Sequence, residues 1–236
     1  MLIALDKTKM LIVKLASTFL FSRFVTLPLV GRAFVPRFDG NVSEMAKYRP
    51  KTPEWFDTRK AAQAVAFFAL KLGTKINILK ATKLVYLADR LSIERRDHAI
   101  TNDSYVSMPF GPVNTNTYDY MNGKGSIRQN EWSSFISNRA GYDLPLAKGV
   151  TLGSLDELSR SDLKILEDTW EQFKDIDKYE LAEWTHRFCP EWQNPGESSI
   201  PIEFSTIFRK LKKSDPGEMA EEIAAERKLR LDLLAG

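Results

Sequence analysis

Apolar positions along the chain change period several times, and those changes mark out the elements. From Thr58 to Leu72 the residues Val65, Phe68, Ala69 and Leu72 recur at i, i+3, i+4 and i+7, one stripe of a helix, and Gly73 follows as its stop. A second helix is expected from about Ile78 to Arg95, capped by Asn77, with Ile78, Ala81, Leu84, Val85, Ala88 and Leu91 as the buried stripe. Tyr86 and Asp89 flank that stripe, while Lys80 and Lys83 lie away from its centre. Residues 97–113 read as an extended segment ending at Gly111-Pro112, and Pro112 can open a helix over about 113–121. Residues 127–150 predict a β-hairpin, with Trp132, Phe135 and Ile136 on one arm and Tyr142, Leu144 and Leu146 on the other. Asn138 and Gly141 lie between the arms, where a turn needs positive φ.

Helical period then returns. Ser161 is the expected cap of a helix striped by Leu163, Leu166, Trp170 and Phe173. Asp177 with Glu180 predicts a capping box for the next helix, which Cys189-Pro190 ends. Pro201 is expected to open a helix with Ile207, Phe208 and Leu211 apolar, and Asp215-Pro216 a charged C-terminal helix with Met219, Ile223, Leu231 and Leu234. The fold class that follows is mainly α with a small β-hairpin, an α+β arrangement, with no internal repeat.

Residues 1–44 differ from the rest. Their apolar runs Leu15–Ser22 and Phe24–Gly31 are split by Arg23, too short to span a bilayer, and Leu27-Pro28-Leu29 is a poor signal-cleavage site. Three readings stay open: an amphipathic helix, a basic targeting segment, or an over-extended start with Met45 opening the protein. The division expected is an N-terminal extension over 1–44, a body over 45–211 and a charged helix over 212–236.

Composition adds little until it is mapped. The 236 residues are 43% hydrophobic and 28% charged, ordinary for a chain able to bury a core. The net charge is +3, but residues 45–100 carry +7 and residues 151–197 carry −7. Either the two halves face and neutralise one another, or one of them offers a docking face. Cys189 is the single cysteine, so no intramolecular disulfide forms, which fits a reducing cytoplasm.

Several segments together resemble one family. Thr82-Lys83-Leu84-Val85-Tyr86-Leu87-Ala88-Asp89, Ile100-Thr101-Asn102-Asp103-Ser104-Tyr105-Val106 and Phe110-Gly111-Pro112-Val113 look like the first half of a Panacea (SocA-like, GepA-like) domain. Glu183-Trp184-Thr185-His186, Pro190-Glu191-Trp192 and Ser198-Ser199-Ile200-Pro201 look like its second half, so the resemblance spans roughly 58–211. It implies a cytoplasmic antitoxin of bacteria or phages. Such a protein neutralises a co-encoded toxin by direct binding, and in one member type it delivers that toxin to a protease. The partner-binding positions it suggests are Tyr86, Asp89, Tyr105, Tyr118, Trp184, His186 and Trp192. The expected binding site is a groove between the helical layer and the hairpin segment. Trp184 and Trp192 bracket the reversal at Cys189-Pro190 and can equally pin it to the core.

Candidate chemistry is sparse. His186 and Cys189, three residues apart and with Glu183 one turn earlier, are the one pair that could form a Cys–His dyad, although no Gly-rich oxyanion site accompanies them. His186 can instead sit at a helix C-terminus, where a cation is favourable. One cysteine and the distant His98 and His186 do not make a zinc set, and no phosphate-binding glycine loop is present. No catalytic residue, cofactor or metal is therefore expected. Lys71, Lys75, Lys80 and Lys83 lie on or beside two helices with little aromatic interleaving. That leaves a DNA-binding regulator as the alternative function, with nucleic acid not the expected partner.

Overall fold

A computed structural model describes residues 52–235, and the expectations for residues 1–44 lie outside them. Helix α1 (Thr58–Lys71) starts where the Asp57 carboxylate accepts from the Lys60 amide. Its many alanines let it lie close against α2 (Ile78–Arg96), which opens with Asn77 accepting from the Leu79 amide. Most of the body is built around α2. It touches α1 and later elements on several sides, so its burial is not confined to the expected stripe. Lys80, Thr82, Lys83, Tyr86, Asp89 and Ser92 are buried too, which corrects the placement of Lys80, Lys83, Tyr86 and Asp89 beside or away from the buried face. Periodicity misses this because a helix packed on all sides has no polar face to mark the solvent side.

The segment after α2 forms a hairpin, β2 (Tyr105–Met108) and β3 (Gly111–Asn114), and β5 (Ile200–Ile202) joins the other edge of β2 in the order β3-β2-β5, all antiparallel. Pro112 and Pro201 therefore lie in strands rather than opening helices. Ser107 faces Pro112 and Val106 faces Pro201, both on edge strands, where a residue without an N–H is tolerated. Gly111 starts β3 at φ 99°, a conformation open to glycine. Helix α3 (Thr115–Met121) begins three residues beyond Pro112.

Residues 127–150 hold less strand than expected. Trp132 sits on a short helix, α4 (Gln129–Ser133), packed on α1. The second arm, β4 (Asp143–Pro145), pairs with β1 (Lys75–Asn77), a partner distant in sequence. Only the bridges Ile136–Leu146 and Ala140–Asp143 close the local hairpin, whose turn places Gly141 at φ 61°. Trp132 and Phe135, three residues apart, reach the core from one helical turn, which alternation does not distinguish from a strand arm.

Helix α5 (Arg160–Phe173) is capped by Ser159 instead of Ser161: the Ser159 hydroxyl accepts from the Asp162 amide, and Asp162 accepts from the Ser159 amide. Helix α6 (Lys178–Phe188) is capped by Asp177, which accepts from the Tyr179 amide, and ends before Cys189-Pro190. Helix α7 (Phe204–Lys210) carries buried Ile207 and Phe208 and packs against α8 (Pro216–Ala235). On α8, Arg227 lies 4.0 Å from the Trp55 ring centre and donates to the carbonyls of Asn102 and Asp103 at 2.7 and 3.0 Å.

The basic and acidic halves of the body meet. Arg59 pairs with Asp156, Lys60 and Arg96 with Asp162, Lys71 with Glu167, Arg95 with Asp168 and Arg90 with Glu191. Each exposed pair adds only about 0–1 kcal/mol, but together they fix which surfaces face one another. Among the described residues no helix is long and apolar enough to cross a membrane.

Candidate functional site

The motif segments converge on a buried polar skeleton. Asp89, on the fourth turn of α2, is enclosed by the loop and hairpin that follow. Its Oδ1 accepts from the amides of Ile100 and Thr101 at 2.9 and 3.0 Å. Its Oδ2 accepts from the Thr101 hydroxyl, from Tyr105 Oη at 3.0 Å and from Asn114 Nδ2 at 2.7 Å. Burial pushes the Asp89 carboxyl up to about 6, so at neutral pH it is mostly ionised and held by five donors. Asp103 does the same for the start of α3, accepting from the amides of Asn116 and Thr117 and from both their side chains. Two carboxylates thus fix the loop, the hairpin and α3 to α2.

Two further buried groups bind the second half of the motif set to the first. Glu191 Oε1 accepts from Tyr86 Oη and Arg90 Nε, each at 2.7 Å. Lys83 Nζ, fully buried, donates to the Pro112 carbonyl at 2.8 Å. Burial brings the Lys83 amine down to about 7. A Cβ at Gly111 would collide with Thr185 Oγ1 and lie 3.1 Å from Lys83 Nζ, so glycine is needed there for close approach as well as for its φ.

Of the seven positions marked in the sequence, Tyr86, Asp89 and Tyr105 come together inside this skeleton. The two tyrosine rings meet edge to face, 5.7 Å apart, and burial raises both hydroxyls well above their ordinary range, which keeps them as donors. These three are enclosed, so they can shape a surface but do not form one. His186 and Trp192 also meet: their rings stack 4.0 Å apart, and Trp192 Nε1 donates to the Met108 carbonyl at 3.0 Å. That pair sits under the β2–β3 tip, beside exposed Phe110. Trp184 lies apart from them on α6, against Phe173 and Phe188. Tyr118 is alone on α3, half-buried, with its hydroxyl raised by burial.

The structure adds three residues that sequence reasoning did not single out, Asp103, Asn114 and Glu191, and moves a fourth, Lys83, from a candidate surface cation to a buried donor. All four lie in or beside the quoted motifs, and the signal was there in the polar character of residues within otherwise apolar segments. That signal does not name the partners, which lie 13 to 25 residues away for Asp103 and Asn114, 29 for Lys83 and more than 100 for Glu191.

The Cys–His arrangement does not assemble. Cys189 is fully buried, and burial pushes its thiol up to about 12, far from a thiolate at neutral pH. His186 is turned to Trp192 and to Glu183, whose Oε1 lies 3.5 Å from Nδ1. Burial lowers the His186 pKa, so the ring is neutral at pH 7 rather than the helix-terminal cation of one sequence reading. No cluster of three or more metal-binding side chains occurs among the described residues. The groove expected beside the hairpin segment is a shallow pocket of about 290 Å³ lined by Arg59, Phe135, Lys148 and Asp156, where Arg59 is already committed to Asp156 and to the Phe135 ring.

The segments that build the skeleton are those a family comparison picks out. Residues 82–193 match the family described as Antitoxin SocA-like, Panacea domain. These residues are similar to a SocA-like Panacea domain. The matched range runs from Thr82, one residue ahead of Lys83, to Gln193, just past Glu191 and Trp192, so it encloses Asp89, Asp103 and both halves of the skeleton. Helix α1 and the β5–α8 region pack around the matched segment from outside it. No curated protein and no solved structure matches the chain. Similarity to an antitoxin family points to a toxin–antitoxin role and to a toxin partner, and away from an enzymatic one.

Proposed function

We propose that this protein is an antitoxin that neutralises a co-encoded toxin by holding it directly, in the cytoplasm, and that delivery of the held toxin to a protease is one route by which it acts. The observation that carries the reading is the antitoxin-family match over residues 82–193. The geometry agrees with it in kind. The motif residues are spent on rigidity, with Asp89 and Asp103 saturated by internal donors, and a rigid preorganised surface suits binding, since little ordering cost is left at the moment of association. Toxin contact is assigned to the accessible motif positions, His186 and Trp192 beside the β2–β3 tip together with Tyr118 and Trp184. Tyr86, Asp89 and Tyr105 support them from within.

The rival readings have less to stand on. A Cys189 nucleophile would need a thiolate that its burial opposes. A DNA-binding face would need free clustered cations, whereas Lys71 and Lys75 are paired with carboxylates and Lys80 and Lys83 are buried. The test is co-expression with the neighbouring open reading frame. The product of that frame alone should arrest growth, and this chain should restore it. Arrest that persists with this chain present at equal or greater level contradicts the proposal.

A further inference from the structure

The outer face of α6 carries exposed rings that are unpartnered among the described residues. Tyr179 is 59% exposed and Phe188 55%, and between them lies Trp184, set 4.8 Å from both the Phe173 and Phe188 ring centres. These rings, with Glu180, Glu183 and Arg187, line one shallow pocket of about 370 Å³. All six residues follow the spacing i, i+1, i+4, i+5, i+8, i+9, which is one face of a helix. Glu180 and Arg187 form no ion pair among the described residues. Glu183 has only the neutral His186 ring beside it. The face therefore carries unspent charge of both signs, acidic towards the N-terminal half of the helix and basic at its C-terminal end.

That order has a symmetry. Laid antiparallel on a copy of itself about a two-fold axis passing between Glu183 and Trp184, the face matches residue for residue. Tyr179 meets Phe188 of the second copy, Glu180 meets Arg187, and Glu183 and Trp184 lie across the axis from one another. Apolar meets apolar at the two ends, opposite charges meet inside them, and the most enclosed aromatic sits at the centre, where interface anchors concentrate. A parallel arrangement would instead set like charges side by side.

We infer that α6 is a homodimer interface, its occupant the same face of a second copy of this chain paired antiparallel about the Glu183–Trp184 midpoint. The inference does not rest on the antitoxin reading, since it needs no toxin; in the dimer Trp184 is covered by the second copy, which leaves His186, Trp192 and Tyr118 for toxin contact.

Sedimentation velocity of the full chain over a wide concentration range tests it. The expected result is a concentration-dependent monomer–dimer equilibrium. Glu180→Arg or Arg187→Glu alone should weaken dimerisation about tenfold or more by opposing like charges across the axis. The combined Glu180→Arg, Arg187→Glu variant should recover it, because the swapped charges again face opposites. These positions are solvent-exposed, so unchanged circular dichroism and the recovery in the double variant separate an interface effect from misfolding. A strictly monomeric wild-type chain, or a dimer that neither single swap weakens, overturns the inference, as does a double variant no better than the singles.

Discussion

Replacing Asp89 by alanine should cost stability in a way that depends on pH. The substitution strips the acceptor from five donors. Tyr105, Thr101 and Asn114 can turn their side chains, and Asn114 Nδ2 already lies 3.1 Å from Thr101 Oγ1. The backbone amides of Ile100 and Thr101 cannot turn away. Two orphaned buried donors at about 1–3 kcal/mol each put the loss at about 2–6 kcal/mol when the native carboxyl is protonated. The native group, however, is raised from 3.8 to about 6 by burial. A carboxyl with a raised folded-state pKa lends its full stability below the unfolded value and loses it as pH rises through the folded value. Wild type therefore gives up stability over that window and Asp89→Ala does not. From about pH 4.5 to about pH 7.5 the gap between them should shrink by about 2 kcal/mol. Urea unfolding of both proteins at the two pH values measures it. A gap that stays constant, or widens towards pH 7.5, refutes the reasoning. Asp103 is also raised by burial and is present in both proteins; its charge helps to raise Asp89, so the difference reads Asp89 together with that coupling.

Other substitutions probe other parts of the skeleton. Lys83, lowered to about 7 by burial, should make wild type gain stability as pH rises from about 7 towards 10, because the unfolded chain then holds a proton that the folded one has released; in Lys83→Met that gain should vanish in urea titrations. Gly111→Ala should lose about 2–4 kcal/mol in thermal unfolding through its positive φ and the collision with Thr185, and a neutral result would show that β3 can shift away from α6. Arg227→Ala should free α8, and limited proteolysis should then cut within residues 216–235 well before it does in wild type; equal cutting rates would mean that α8 is held by its apolar contacts alone.

How much of this was legible in the sequence varied with where each residue's partner lies. The helices α1, α2, α5 and α6 follow from local period and caps, and even the two-residue error at Ser159 came from choosing between neighbouring serines. The β2–β3 hairpin did not follow, because Pro112 and Pro201 suggested helix starts. A proline at a helix N-terminus and one on an edge strand both avoid the need for an N–H, so the residue itself does not separate them. β1 and β4 are three-residue strands that pair across some seventy positions, and no window shorter than that distance holds both. The interior of the site was hidden for the same reason. Lys83 looks like a solvent cation until the Pro112 carbonyl is placed over it, and Glu191 looks like a loop residue until Tyr86 and Arg90 meet it from about one hundred residues earlier. The motif order was legible and the contacts within it were not.

The exposed positions follow a similar logic. Trp184 stood out in the sequence as a large aromatic in a motif, but its environment depends on Phe173 from α5 and on Phe188 one turn later. The basic and acidic blocks were visible as charge runs. Only the packing of α2 against α5 shows that they face one another, with Arg95 on Asp168 and Arg96 on Asp162.

The central claim is that this protein acts by holding a toxin. Isothermal titration of the purified full chain against the purified product of the neighbouring frame tests it most directly. The account predicts a saturable complex of fixed stoichiometry, together with loss of the toxin's activity at the same ratio, weakened by Trp192→Ala at the β2–β3 tip. No heat of binding and undiminished toxin activity at excess of this chain would contradict it.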